Sequence, residues 1–265
     1  MKKGLVFVAM MASIMTTYAQ QKTLVLFYSQ TGTTQSVAEE LQKQLGADIE
    51  RIEAEKPYDG NFQATIQRGQ EEMRNGEVPA LKPIHAKLAD YKTIFIGYPI
   101  WFGTYAMPIA TLVKENDFAG KTIVPFCTFG SGGLNTSTND LRKALPKADI
   151  RQGYGVRTAR IASAPKEITR FLIENGYKKG SIKPLPDYSE QQPVTKADCD
   201  IFDAACSSYQ FPLGTPLTVG KRETEESTDY KFTVKSRGMN GAESTSIIYV
   251  TVGKNAKPEF TEVVR

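Results

Sequence analysis

Three short stretches of this chain carry residue types that could hold a ligand. The first is Ser29-Gln30-Thr31-Gly32-Thr33-Thr34, with four hydroxyls, one glycine and no Lys or Arg. A helix N-terminus presents unpaired N–H groups and the positive end of its dipole, which suits a phosphate. Hydroxyls add donors, and Gly32 lets the backbone come close. The loop lacks the Gly-Lys-Ser/Thr of a triphosphate-binding loop, so neutral donors would hold a monophosphate. The same turn would equally serve as a plain helix cap.

The second stretch is Tyr98-Pro99-Ile100-Trp101-Phe102-Gly103-Thr104-Tyr105, with four aromatics, no charge and the only tryptophan in the chain. It could wall a flat aromatic ligand, or plug the space under a neighbouring helix. The third is Thr128-Phe129-Gly130-Ser131-Gly132-Gly133-Leu134-Asn135-Thr136, whose three glycines allow a tight backbone path. A flexible loop is the alternative.

The elements around these stretches alternate. Residues 23–28 form a continuous apolar run, as a strand buried on both faces should. Val37, Ala38, Leu41 and Leu45 repeat at helical spacing, and Gly46 ends that helix. Further strands are expected at 49–52, 93–98, 121–127 and 150–156, and further helices at 62–74, 107–114, 139–145 and 166–174. Five strands alternating with helices predict an α/β fold with a doubly wound, five-stranded parallel sheet. Ligands in such sheets sit beyond the carboxyl ends of the strands. All three stretches fall there, and their coincidence on one edge argues for a common site.

Residues 178–193 are polar with three prolines and read as a linker. Residues 194–265 predict a small α+β domain: a helix over 196–209, then an antiparallel meander of four strands, with turns at 238–241 and 253–255. Cys199 and Cys206 share that helix, which would hold their Cα atoms roughly 10 Å apart, beyond disulfide reach. The helix and a bridge exclude each other, and the helix is favoured.

Composition bounds the function. The chain has 265 residues, 40% hydrophobic and 23% charged, an ordinary globular balance. Its formal charge of +4 and scattered basic residues argue against nucleic acid. A lone histidine, His85, rules out multi-histidine metal sites within one chain and reads as a surface residue. Cys127 ends a buried strand and reads as an inert packed thiol. Lys2 and Lys3 precede a short apolar run and Ala19, which reads as a signal peptide over 1–19. A periplasmic or extracellular protein is expected, cut near Ala19.

Residues 22–177 resemble the flavodoxin superfamily, in particular exported bacterial members with the third-strand motif that here is Gly97-Tyr98-Pro99-Ile100-Trp101. The three loops also follow the family's order and spacing. The resemblance implies non-covalent FMN in a domain spanning 20–177. Ser29, Gln30, Thr31, Gly32, Thr33 and Thr34 match its phosphate loop. Pro99, Ile100, Trp101, Phe102 and Gly103 match the loop flanking the isoalloxazine, and Thr128, Phe129, Gly130 and Gly133 the loop on its other side. The resemblance requires no catalytic side chain and no metal, since the flavin carries the redox chemistry. Residues 98–114 hold no carboxylate, so a less negative reduction potential than in acidic carriers is expected. Export would separate the protein from NAD(P)H, so a redox partner protein at the membrane, or a quinone, is the expected partner. The alternative is a non-enzymatic exported binding module on a degenerate scaffold.

Overall fold

The computed structural model describes residues 22–58, 61–237 and 242–265. The expected leader and the turn at 238–241 lie outside them.

In the first lobe β1 (Lys22–Phe27) leads to α1 (Thr33–Leu45) and β2 (Asp48–Arg51), then α2 (Phe62–Asn75), β3 (Tyr91–Trp101) and the short β4 (Thr104–Tyr105). α3 (Met107–Glu115), β5 (Thr122–Phe129), α4 (Leu134–Ala144), β6 (Asp149–Ile150), β7 (Tyr154–Arg157) and α5 (Ala164–Glu174) follow. The parallel sheet has the order β2-β1-β3-β5, with β6 and β7 both on the far side of β5.

Alternation along the strands builds two cores. Leu24 and Leu26 of β1 and Ile94, Ile96 and Tyr98 of β3 face α3 and α4, which add Ile109, Leu112 and Leu141. Val25, Phe27 and Phe95 face α1 and α5, which add Val37, Leu41, Ile168 and Leu172. Each such side chain, fully buried, stabilises the fold by about 1.5–3 kcal/mol. Left-handed glycines end α1 and α2, at Gly46 and Gly76. Asn61 caps α2 by accepting from Gln63 and Ala64 N–H.

Two expected elements differ. The fifth strand is two pieces, paired with opposite ends of β5. Pro125 within β5 has no N–H to give a ladder, and a Cβ on Gly153 would stand 2.6 Å from the Pro125 carbonyl oxygen. The ladder is interrupted there, between Ile150 and Tyr154. α4 starts at Leu134, not at 139. Its polar first turns read as loop, yet Ser137 and Thr138 are buried, and the Tyr98 hydroxyl donates to Ser137 Oγ at 3.2 Å.

The second lobe comprises β8 (Gln192–Pro193), α6 (Lys196–Cys206), β9 (Thr215–Glu223), β10 (Ser227–Arg237), β11 (Glu243–Gly253) and β12 (Pro258–Val264). These strands form an antiparallel sheet in the order β12-β11-β10-β9-β8, one strand more than expected. Phe202 and Ala205 of α6 pack on its apolar face against Phe232, Val234, Ile248 and Val250. Thr195 and Asp198 form a capping box at the start of α6. Cys199 and Cys206 both lie in α6, and all three cysteines are free thiols. Cys127 is fully buried, which pushes its thiol pKa up. His85 is exposed beside Glu50, whose Oε1 is 3.1 Å from its Nδ1.

Residues 178–191 hold no helix or strand but are tied to the second sheet. Ser189 N–H donates to Lys221 O, Gln191 Nε2 donates to Lys231 O, and Arg222 lies over the Tyr188 ring.

Candidate functional site

β1, β3 and β5 are neighbours in one parallel sheet, so the segments that follow them emerge side by side. Side chains join all three. The Thr34 and Thr128 hydroxyls share a buried hydrogen bond of 2.8 Å, tying the first loop to the third. Tyr28 and Trp101 meet edge to face with centroids 5.8 Å apart, tying the first to the second. A Cβ on Gly133 would stand 2.7 Å from Ile100 Cγ2, so the second and third are in contact.

The first loop turns through Gly32 in the left-handed region, φ 89, directly into α1. Its hydroxyls divide into two roles. Ser29 is buried and its Oγ accepts from Gly32 N–H at 3.2 Å, while Thr34 is spent on Thr128. Thr31 is exposed and Thr33 half-buried, and their only mutual contact is a long 3.5 Å. α1 has no side-chain cap, and the amides of Thr33, Thr34 and Gln35 have no partner among the described residues. A Cβ on Gly32 would meet nothing within 4 Å, so the space at this N-terminus is open. Three free amides with two accessible hydroxyls fit a phosphate group.

The expectation of a charge-free cradle is corrected by Arg51. It ends β2, the strand beside β1, and donates to Ser29 O at 2.7 Å and to Gln35 Oε1 at 3.2 Å. Its guanidinium therefore braces the loop and adds positive charge beside it. Gln30 points elsewhere, donating to Thr65 Oγ1 of α2 at 2.6 Å.

The second loop is a β-hairpin. β3 continues to Trp101, which pairs with Thr104 of β4. Both turn residues have positive φ, Phe102 at 52 and Gly103 at 84, as a two-residue hairpin turn requires. That conformation is strained for phenylalanine by roughly 1–2 kcal/mol. Phe102 is 42% exposed, and its ring lies over α2 where Gly69 leaves room: a Cβ there would stand 2.9 Å from it. Trp101 is half-buried, edge-on to Tyr28 and to Tyr58 at 4.8 Å.

Tyr58 was not legible as a site residue. Its hydroxyl donates to Glu72 Oε2 at 2.5 Å, and Arg68 lies 3.8 Å over its ring while pairing with Glu72. Burial, then the bond to Glu72, pushes the Tyr58 pKa up. Burial likewise pushes Tyr28 up to about 12. Both phenols stay neutral donors at physiological pH.

In the third loop Phe129 does not offer its ring to a ligand. It is buried in the core, against the place where Gly155 has no side chain. Thr128 is also buried. The loop's exposed material is backbone. Gly130 is exposed, and a Cβ there would meet nothing within 4 Å. Pro99 and Ile100 are half-buried behind the hairpin, and Gly103 stands in open space. The local absence of carboxylates does not carry over to the fold: Thr104 donates to Asp140 of α4 at 2.8 Å, and Glu262 of β12 reaches Gly132.

The comparisons with known proteins agree with this arrangement. A family model described as flavodoxin matches residues 22–169. No curated protein matches the chain. A structure from Bacteroides uniformis, designated a flavoprotein, is 31% identical with a TM-score of 0.51, covering 56% of this chain and 98% of that one. Another from Bacteroides eggerthii is 30% identical with a TM-score of 0.48, covering 56% and 98%. A Lactobacillus acidophilus flavoprotein in complex with FMN is 19% identical with a TM-score of 0.49, covering 57% and 97%. The sheet order, the three converging loops and the match over most of the first lobe lead to one conclusion: the chain belongs to the flavodoxin family.

Proposed function

We propose that the protein binds FMN non-covalently at the joined loops and works as an exported redox protein. The observation that supports this most is the open N-terminus of α1, with its free amides, accessible hydroxyls and the braced Arg51. Thr31, Thr33 and the amides of Thr33, Thr34 and Gln35 would hold the phosphate. The hairpin carrying Trp101 and the backbone of Gly130 to Gly133 would flank the ring. Bound FMN would supply electron-transfer chemistry. The chain itself positions and desolvates it, and no side chain here need act as an acid or base. The partner would be a membrane-proximal redox protein or a quinone, in a periplasmic or extracellular setting.

Thr33→Glu tests the assignment. An acidic residue in the first turn favours α1 itself, so the fold should persist. Repulsion of the phosphate should weaken FMN binding at least about 100-fold, or about 3 kcal/mol. Titration of FMN fluorescence against wild type and variant measures this. A wild type that leaves FMN free, or a variant that binds as well as wild type, would defeat the assignment.

A further inference from the structure

The second lobe grips the third loop of the site. Arg157, at the end of β7, is buried and donates Nε to Gly130 O at 2.7 Å and Nη1 to Phe260 O at 2.7 Å. Its guanidinium lies 4.2 Å over the Phe260 ring. No carboxylate pairs with it among the described residues, and burial lowers its pKa. A buried guanidinium is costly unless its donors are satisfied. Here one backbone carbonyl from each lobe takes one of its donors, and the Phe260 ring covers its face. β12 supplies a second tie, because Val263 N–H donates to Ser131 O at 2.7 Å. β12 is the edge of its sheet, and this N–H points outward from it. The approach is close enough that a Cβ on Gly132 would stand 2.2 Å from Val263 O.

These ties have a chemical consequence. The Gly130 carbonyl is committed to Arg157, itself anchored on Phe260 O of the second lobe, and the Ser131 carbonyl to Val263 of that lobe. The amides of Gly130, Ser131, Gly132 and Gly133 have no partner among the described residues. Successive free N–H groups form a concavity that attracts electron-rich atoms.

We propose that the second lobe is a positioning element for the third loop: β12, directly through Val263 and through Arg157 anchored on Phe260 O, holds the Gly130 and Ser131 carbonyls and leaves a donor-rich face toward the flavin ring. The proposal rests on the FMN reading. A donor-rich face favours the reduced, electron-rich ring over the oxidised one. Arg157 and Val263 are positioning residues, since they touch the loop and not the cofactor.

The test uses the full chain as wild type, Arg157→Gln, Arg157→Lys and Gly132→Ala. Gly132→Ala inserts a methyl between loop and strand without removing a charge. In ligand-free protein, hydrogen exchange at the Val263 amide should be slow in wild type and about tenfold faster in Gly132→Ala and Arg157→Gln. With FMN bound, both variants should lose about tenfold in preference for the reduced ring, a potential more negative by about 30 mV for a two-electron couple. Arg157→Lys keeps the charge but loses the fork that reaches both carbonyls, and should fall between. If Arg157→Gln does not fold, Gly132→Ala carries both readouts. A lower melting temperature with an unchanged potential would make the lobe a mere support and overturn the proposal. A wild type that takes up no FMN overturns the functional reading and the cofactor half of this one, while the exchange rates still decide whether the loop is held.

Discussion

Gly97→Ala should lower the melting temperature by roughly 5–10 °C. Gly97 lies in β3 directly opposite Phe126 of β5. A Cβ at Gly97 would stand 2.0, 2.3 and 2.7 Å from three atoms of the Phe126 ring. That ring is fully buried among Val25, Phe27 and the side chains of α1 and α5. Close-packed interiors leave such a ring little room to shift, and overpacking of this kind costs about 1–3 kcal/mol. Circular dichroism during thermal unfolding measures the change. Adding Phe126→Leu should recover part of it, because the smaller side chain clears the methyl. An unchanged melting temperature for Gly97→Ala would refute the packing argument. The glycine of the third-strand motif is thus held by a neighbouring ring rather than by a ligand.

Glu262→Gln should stabilise the protein above pH 7 and change little near pH 4.5. Glu262 lies on β12 against Gly132, and burial raises its pKa from 4.5 to about 7. It has no ion-pair partner among the described residues, and Arg160 is paired with Glu167 and Glu259. The Cys127 thiol and the Tyr249 phenol, both raised mainly by burial, feel its charge but stay neutral in this range. A raised carboxyl pKa means that the folded state holds its proton more tightly than the unfolded chain. Below about pH 4.5 both states are protonated and there is no penalty. Stability then falls as pH rises to about 7, and above that the loss is complete, about 3 kcal/mol in size. Urea unfolding of wild type and variant between pH 4.5 and 8.5 reads the difference directly. Parallel curves for the two proteins would show that Glu262 is not responsible.

What could be read from the sequence followed burial and local backbone chemistry. β1 and β3 announce themselves because both of their faces are covered, so apolar residues run on without a break. Gly46 and Gly76 mark helix ends because those positions adopt positive φ. The three loops were legible because parallel-sheet topology dictates where strand ends go. The internal division of labour was not. That Ser29, Thr34 and Thr128 brace the site while Thr31 and Thr33 stay free depends on contacts 94 residues apart in sequence. Arg51 reaches the first loop only because β2 pairs beside β1. The Phe129 ring is directed inward by strand alternation that the glycines after it conceal. The polar segment at 178–191 looked unattached because its bonds run to strands far along the chain.

The contact between β12 and the Gly130–Gly133 loop also bears on self-association. An antiparallel sheet exposes two rows of unpaired peptide groups along its rims, and such rims recruit strands from other molecules. At one rim the terminal strand is only two residues long and contains Pro193, which has no N–H to offer. At the other, the rim N–H of Val263 is already spent within the same molecule. A variant that loosens that contact would therefore uncover a sticky rim, and slow polymerisation would accompany any loss at the loop.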